Sequence, residues 1–147
     1  MRRRIADIEY EQMLLSRYTI AQHRSDDGLD RSVYLVLGRI HVDGPMSIAE
    51  LSEAFRLDVS TLQRQTGAAL RAGFVERIAD PDGGPARKFS LTDAGRERLT
   101  NVRERSVAAL ELILDDWSEE DVGQFADYLR RFNASIESYS AGERGRG

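Results

Sequence analysis

The stretch VSTLQRQTGAALRAGFVERIADPDGGPARKFSLTDAG, Val59 to Gly95, decides the fold. It begins as a helix whose inner face is predicted to carry Val59, Leu62, Ala69 and Leu70, with Asp58 just before it as a candidate N-cap. Gly73 falls where that helix should stop, because glycine takes the left-handed backbone of a helix end without a steric penalty. FVERIA, Phe74 to Ala79, then alternates apolar and polar residues, and ARKFSL, Ala86 to Leu91, can pair back across DPDGGP. Two prolines and two glycines turn that tip by local chemistry and leave Asp82 exposed.

Working outward, Ser47 followed three residues later by Glu50 is a capping box, in which each side chain satisfies an orphan backbone donor at the start of a helix. Leu51, Ala54 and Phe55 give this short helix its buried side. Only about three residues separate it from the next helix, and two amphipathic helices joined that tightly are the sequence form of a helix-turn-helix. The hairpin is appended to it. Upstream, Val33, Leu37 and Ile40 repeat at helical spacing between a candidate N-cap at Asp30 and a break at Asp43 to Pro45. A first helix is predicted over about Ile5 to His23, with Ile8, Leu15 and Tyr18 near one face and an end at Ser25 to Gly28.

Downstream, Thr92 can cap a long fifth helix carrying Leu99, Val102, Leu110, Ile113 and Leu114 and running to Trp117. Ser118 restarts the chain, and Glu119, Glu120 and Asp121 fall in the first turn of a sixth helix, where negative charge meets the positive end of the helix dipole. Val122, Phe125, Leu129, Phe132 and Ile136 then step by 3, 4, 3 and 4, a two-heptad seam. Such a seam is too short to stand alone, so it packs against another helix of this chain or of a second copy. The tail from Ser140 is expected to be disordered.

Composition narrows the function. A chain of 147 residues is long enough for one ordinary core, and its apolar runs are far shorter than the roughly 20 residues that cross a bilayer. The opening MRRRIADIEYEQ lacks an apolar signal core, so a cytoplasmic protein without membrane contact is expected. The absence of cysteine excludes disulfides, thiolate metal sites and thiol redox sensing. Two histidines, His23 and His41, do not make a zinc site, and no cofactor is expected. There is no Gly-x-Ser-x-Gly elbow, no His-Glu-x-x-His and no glycine-rich phosphate loop leading into a lysine, so the chain does not read as an enzyme.

The net charge of -4 argues against nonspecific coating of nucleic acid, and any such function must come from local arrangement. Burying Val59, Leu62, Thr66 and Ala69 leaves Ser60, Thr61, Gln63, Arg64 and Arg71 near the solvent side of the fourth helix. Short hydroxyls suit phosphates, whereas glutamine pairs with adenine and arginine with guanine in the major groove. Arg64, Arg71 and Arg77 stand against Glu76 in this region, and Arg87 and Lys88 add charge on the returning strand.

DVSTLQRQTGAALRAGFVERI and DPDGGPARKFSLTDAG together resemble the winged helix-turn-helix core of the MarR (multiple antibiotic resistance regulator) transcription factors. The matching features are Ser60-Thr61, Arg64, Gly73, Val75 to Arg77, Asp80, Leu91-Thr92 and Gly95, and the six-helix layout extends the likeness over about residues 5 to 139. The resemblance implies a mainly α fold with a small β-hairpin wing, built as a MarR-like dimer. It implies a winged helix-turn-helix over 30–92 and dimerisation helices over 1–29 and 93–139, with 140–147 as the tail. It further implies a sequence-specific repressor that binds a palindromic operator in double-stranded DNA as a homodimer and is released by a small aromatic effector. By position, Ser60, Thr61, Gln63 and Arg64 would enter the major groove. Met13, Tyr18, Tyr34, His41 and Trp117 would line the effector pocket.

The wing departs from the family pattern. Members commonly carry Asp-x-Arg there, the arginine inserted into the minor groove, whereas this chain has Asp80-Pro81-Asp82. An acid at the tip is repelled by phosphate, so the tip is expected to stay out of the groove while Arg87 or Lys88 substitutes. Gly67, inside the fourth helix, is a second oddity, costing about 1 kcal/mol relative to alanine unless a close approach requires it. The competing reading is a winged-helix module that binds another protein and has lost DNA contact; exposed Gln63 and Arg64 discriminate against it.

Overall fold

The computed structural model describes residues 3–24 and 31–144, with side chains described at 3–18 and 31–143. Among these residues the chain forms α1 (Ile5–Arg24), α2 (Arg31–Asp43), α3 (Ile48–Phe55), α4 (Val59–Arg71), β1 (Val75–Ile78), β2 (Lys88–Leu91), α5 (Asp93–Ile113) and α6 (Glu119–Arg144). They fall into two compact units whose boundary lies inside α5, after Glu104. The architecture is a mainly helical winged helix-turn-helix. The predicted end of the first helix at Ser25 to Gly28 and the predicted cap at Asp30 lie outside the described residues.

The core of the first unit is assembled from short amphipathic pieces. Val33, Val36, Leu37 and Ile40 of α2 are buried with Leu51 of α3, Leu62 and Ala69 of α4, Val75 and Phe89 of the hairpin, and Leu99 and Val102 of α5. Leu37, Leu51 and Leu62 are fully enclosed, and each such side chain stabilises the fold by about 1.5–3 kcal/mol relative to exposure. Thr66, also buried, donates its hydroxyl to the Leu62 carbonyl at 2.7 Å, which satisfies it within its own helix. The buried stripe of α4 begins one turn later than the sequence suggests. Val59 is 46% exposed, because the core does not extend to the first turn.

Local chemistry sets the junctions. The capping box forms as predicted: Ser47 Oγ accepts from the Glu50 amide at 3.1 Å and Glu50 Oε1 accepts from the Ser47 amide at 3.3 Å. Asp58 takes the N-cap position of α4, but its side chain makes no capping bond. Ala72 is the C-cap of α4, and Gly73 follows it with φ of +79°, the Phe74 amide reaching back to the Ala69 carbonyl. Thr92 caps α5, its hydroxyl accepting from the Gly95 amide at 3.1 Å and donating to the Gly73 carbonyl at 2.6 Å.

The hairpin pairs Val75 with Leu91, Glu76 with Ser90, Arg77 with Phe89 and Ile78 with Lys88. It is attached to the front of the helix-turn-helix by an antiparallel bridge in which Met46 and Phe89 exchange amide-to-carbonyl bonds of 3.1 and 2.8 Å. That bridge places β2 beside the start of α3.

Two helix ends differ from expectation. The fifth helix stops at Ile113 rather than Trp117: Asp115 and Asp116 would set negative charge on the negative end of the helix dipole, and Ser118 instead caps α6 through the Asp121 amide. The sixth helix runs on to Arg144, so residues 140–144, expected as disordered tail, are helical. Links one turn apart, Ser140 Oγ to the Ile136 carbonyl and Tyr139 to Glu143, accompany that extension. Gly145 to Gly147 lie outside the described residues.

Candidate nucleic-acid interface

Burial of Leu62, Thr66 and Ala69 fixes the rotation of α4, and with it the side chains that face outward. Ser60, Gln63, Arg64 and Arg71 are exposed and Thr61 is half-buried. Thr61 and Arg64 line a recess of about 190 Å³ together with Gln65 and Ala68 of the same helix and Ser32 and Val33 of α2. Nothing local in the sequence marks Gln65 and Ser32 for this recess. Ser32 belongs to a different helix and is brought to Arg64 only by the packing of α2 on α4. Arg71 folds back along its own helix, its guanidinium reaching over Gly67.

Charge separates along the chain. Residues 105–147 hold nine acidic against five basic side chains, so the whole net negative charge is accounted for by the second unit. The first unit is balanced, and its basic groups on α4 and the hairpin can act locally on a polyanion.

The wing distributes its cations between different tasks. Arg87 is exposed at the end of the tip, beside the start of β2. Arg77 lies over the Phe89 ring with its guanidinium 5.7 Å from the centroid, a cation–π contact that shields the apolar face of the hairpin. Lys88 is turned inward. Its Nζ pairs with Glu50 Oε1 at 3.1 Å and with Asp80 Oδ1 at 3.5 Å, and its side chain is only 14% exposed. Hydrogen bonding to Glu50 raises the Lys88 pKa above its ordinary value, helped by the Asp80 charge. The Glu50 carboxyl is correspondingly lowered, first by Lys88 and then by the Ser47 amide.

Asp80, the one aspartate retained from the usual wing pattern, organises the tip. Its carbonyl accepts from the Gly83 amide at 2.9 Å and its carboxylate accepts from the Asp82 amide at 2.9 Å, so the turn is closed by one residue's two acceptors. The Asp82 amide is the main cause of its lowered pKa, with Lys88 adding to it. Gly83 has φ of +82°, and a Cβ on Gly84 would overlap the Asp80 carboxylate. Asp82 itself is exposed. The DPDGG stretch thus folds around Asp80 and leaves an acid at its apex.

The five residues assigned to an effector pocket are distributed over the two units. Met13 and Tyr18 of α1 are exposed, Tyr34 of α2 packs against the core, and His41 is exposed near the end of α2. Trp117 belongs to the second unit, where its ring lies 5.5 Å from that of Phe125 at a tilt of 57°. No group of three or more metal-ligating side chains gathers among the described residues, and no helix among them is long and apolar enough to cross a membrane.

Comparison with known proteins agrees with this geometry. A family model described as MarR family matches residues 27–84. The chain is 33% identical over 132 residues to the uncharacterized HTH-type transcriptional regulator YxaD of Bacillus subtilis (strain 168), covering 88% of this chain and 92% of that one. Its fold is similar to a MarR family protein from Bacillus stearothermophilus, with a TM-score of 0.72 at 21% identity, covering 93% and 99% of the two chains. It is also similar to RV1404 from Mycobacterium tuberculosis, with a TM-score of 0.75 at 17% identity over 93% and 97%.

Proposed function

We propose, from the premise that the chain belongs to the MarR family of DNA-binding transcriptional regulators, that it is a homodimeric repressor acting on an inverted-repeat operator. The family regulates transcription and is not one of enzymes. The observation that carries the reading is the outward row Ser60, Gln63 and Arg64 on a helix whose opposite side is locked into the core. In this reading Gln63 and Arg64 address base edges, while Ser60, Thr61 and Arg71 address the backbone. Arg87 supplies the wing's phosphate contact, and Arg77 flanks it from β1. Lys88, engaged by two carboxylates, takes no phosphate.

Self-association is supported by apolar side chains left uncovered in the single chain. Ile5, Ile8 and Leu15 of α1 and, separately, Phe125, Leu129, Phe132 and Ile136 of α6 are all at least 37% exposed, and rows of large apolar side chains open to solvent mark surfaces that a partner covers. Release by a small aromatic effector completes the proposal.

Selection of bound duplexes from a random DNA pool by the purified protein tests it. The expected product is a palindrome whose half-sites lie about 10–10.5 base pairs apart, as two symmetric recognition helices require. Recovery of no common sequence at any salt concentration would sink the operator reading and favour a protein-binding role for the fold.

A further inference from the structure

The Glu50–Lys88–Asp80 cluster joins three parts of the molecule that the chain keeps far apart. Glu50 is the third residue of α3 and already serves its cap, Lys88 opens β2, and Asp80 closes the wing turn. A lysine with a side chain only 14% exposed between two carboxylates has its charge spent inside the protein. Its immediate neighbour Arg87 is exposed, and Ile78, its cross-strand partner, is the last residue of β1. The Met46–Phe89 bridge brings the strand up to α3, but it acts one residue inward. The ammonium is therefore the outermost tie between the wing and the helix-turn-helix among the described contacts.

We propose that Lys88 is a positioning residue that clips the wing to the capping box of α3, and that the clip sets where Arg87 meets the DNA backbone. The inference rests on the DNA-binding reading above, and it assigns the wing's missing tip arginine no substitute at the tip. The retained aspartate holds a lysine from the returning strand instead, so the hairpin is braced where its paired strands end and the tip begins. Glu50 has two jobs in one side chain: Oε1 accepts both from the Ser47 amide and from Lys88. A cap that fixes the carboxylate also fixes the clip.

The two roles open to Lys88 separate cleanly. A phosphate-binding lysine contributes to the salt dependence of binding, and deleting its charge makes the slope shallower by about 0.9. Removing the Glu50 charge would free such a lysine and strengthen binding. A positioning lysine behaves in the opposite way. Lys88→Met and Glu50→Gln would then both weaken specific binding, by roughly 3- to 30-fold, with the salt slope left as in the wild type. Glutamine at position 50 still serves a capping box, so the helix start is preserved.

The experiment has two arms on the full chain. Fluorescence anisotropy with a labelled duplex recovered by the selection measures affinity across salt concentrations for the wild type, Lys88→Met, Lys88→Arg and Glu50→Gln. Hydrogen exchange of the free proteins measures protection of the Arg77 and Phe89 amides against those of α2 and α4. The expected result is faster exchange confined to the hairpin in Lys88→Met and Glu50→Gln, equal salt slopes, weakened binding in both, and recovery in Lys88→Arg. A shallower slope for Lys88→Met with undiminished affinity for Glu50→Gln would overturn the proposal. If the wild type binds no duplex, the DNA reading fails on its own, and unchanged hairpin exchange in the variants would then overturn the clip.

Discussion

Gly95, in the first turn of α5, lies directly against the backbone of Phe74, so that a Cβ at position 95 would overlap the Phe74 carbonyl oxygen. That carbonyl already accepts from the Thr92 amide at 3.1 Å, and Thr92 caps the same turn. The Leu-Thr-x-x-Gly run is thus a device for seating a helix against the entry to β1. Because the obstructing atom is backbone and not a side-chain end, relief requires moving a chain segment. Gly95→Ala is expected to lower stability by about 1–3 kcal/mol, read as a reduced denaturation midpoint with unchanged slope. A midpoint equal to the wild type would contradict the close approach.

Gly67 is the opposite case. A Cβ there would meet only Arg71 Nη1 at 3.4 Å, an ordinary contact with the end of a flexible side chain. No close backbone approach requires the glycine. Gly67→Ala is expected to raise stability by about 0.5–1 kcal/mol through lower helix entropy cost, visible as a higher thermal midpoint. A fall in midpoint would contradict the room for a Cβ at position 67.

Arg64 and Arg87 are expected to fail differently when removed. Arg64→Ala should weaken binding to the selected operator by about 1–3 kcal/mol and relax the base preference. Arg87→Ala should lower affinity for every duplex alike and make the salt slope shallower by about 0.9, whereas Asp82→Ala should not weaken binding. Competition titrations against operator and random DNA measure all three. Loss of affinity in Asp82→Ala would place the acidic tip in a productive contact and refute its exclusion from the groove.

The parts of the fold legible in the sequence were those set by neighbours in the chain. The capping box at Ser47, the stop at Gly73 and the cap at Thr92 each depend on residues within a few positions. The end of α5 at Ile113 is not legible in the same way, because the apolar period continues to Trp117 while Asp115 and Asp116 oppose the helix dipole. The division of labour among the wing's cations was not readable either. Arg87 and Lys88 are adjacent in sequence, yet one is exposed and the other is engaged by Glu50, thirty-eight positions away. Arg87 precedes β2 while Lys88 opens it, and only the register and the Met46–Phe89 bridge bring the lysine to α3.

The Lys88 clip should leave a signature in the pH dependence of stability. Glu50 and Asp80 are held below their ordinary values of 4.5 and 3.8, so their contribution is present above those values and is lost as pH falls through the lowered folded ones. Lys88 is held above its ordinary 10.5, so its contribution is present below that value and is lost as pH rises through the raised one. The stability difference between the wild type and Lys88→Met is therefore expected to be flat from about pH 5 to about pH 10 and to shrink on either side. Urea midpoints for both proteins across that range measure it. A difference that kept growing on acidification would contradict an ion pair.

The seam on α6 gives the last test. Leu129 and Phe132 are 37% and 41% exposed in the single chain, so a charge at Leu129 need not disturb the protomer. Placed at a symmetric interface, the same charge would be buried twice without a partner, at a cost well above that of an exposed substitution. Leu129→Arg is expected to sediment at the chain mass of 16.6 kDa at concentrations where the wild type shows twice that, with its helical circular dichroism retained. Its affinity for a single half-site should be preserved while affinity for the full inverted repeat falls, because the second recognition helix is no longer held in place by the first. A wild type that sediments at 16.6 kDa throughout would remove the dimer from the reading, and a variant that dimerises normally would move the interface off α6.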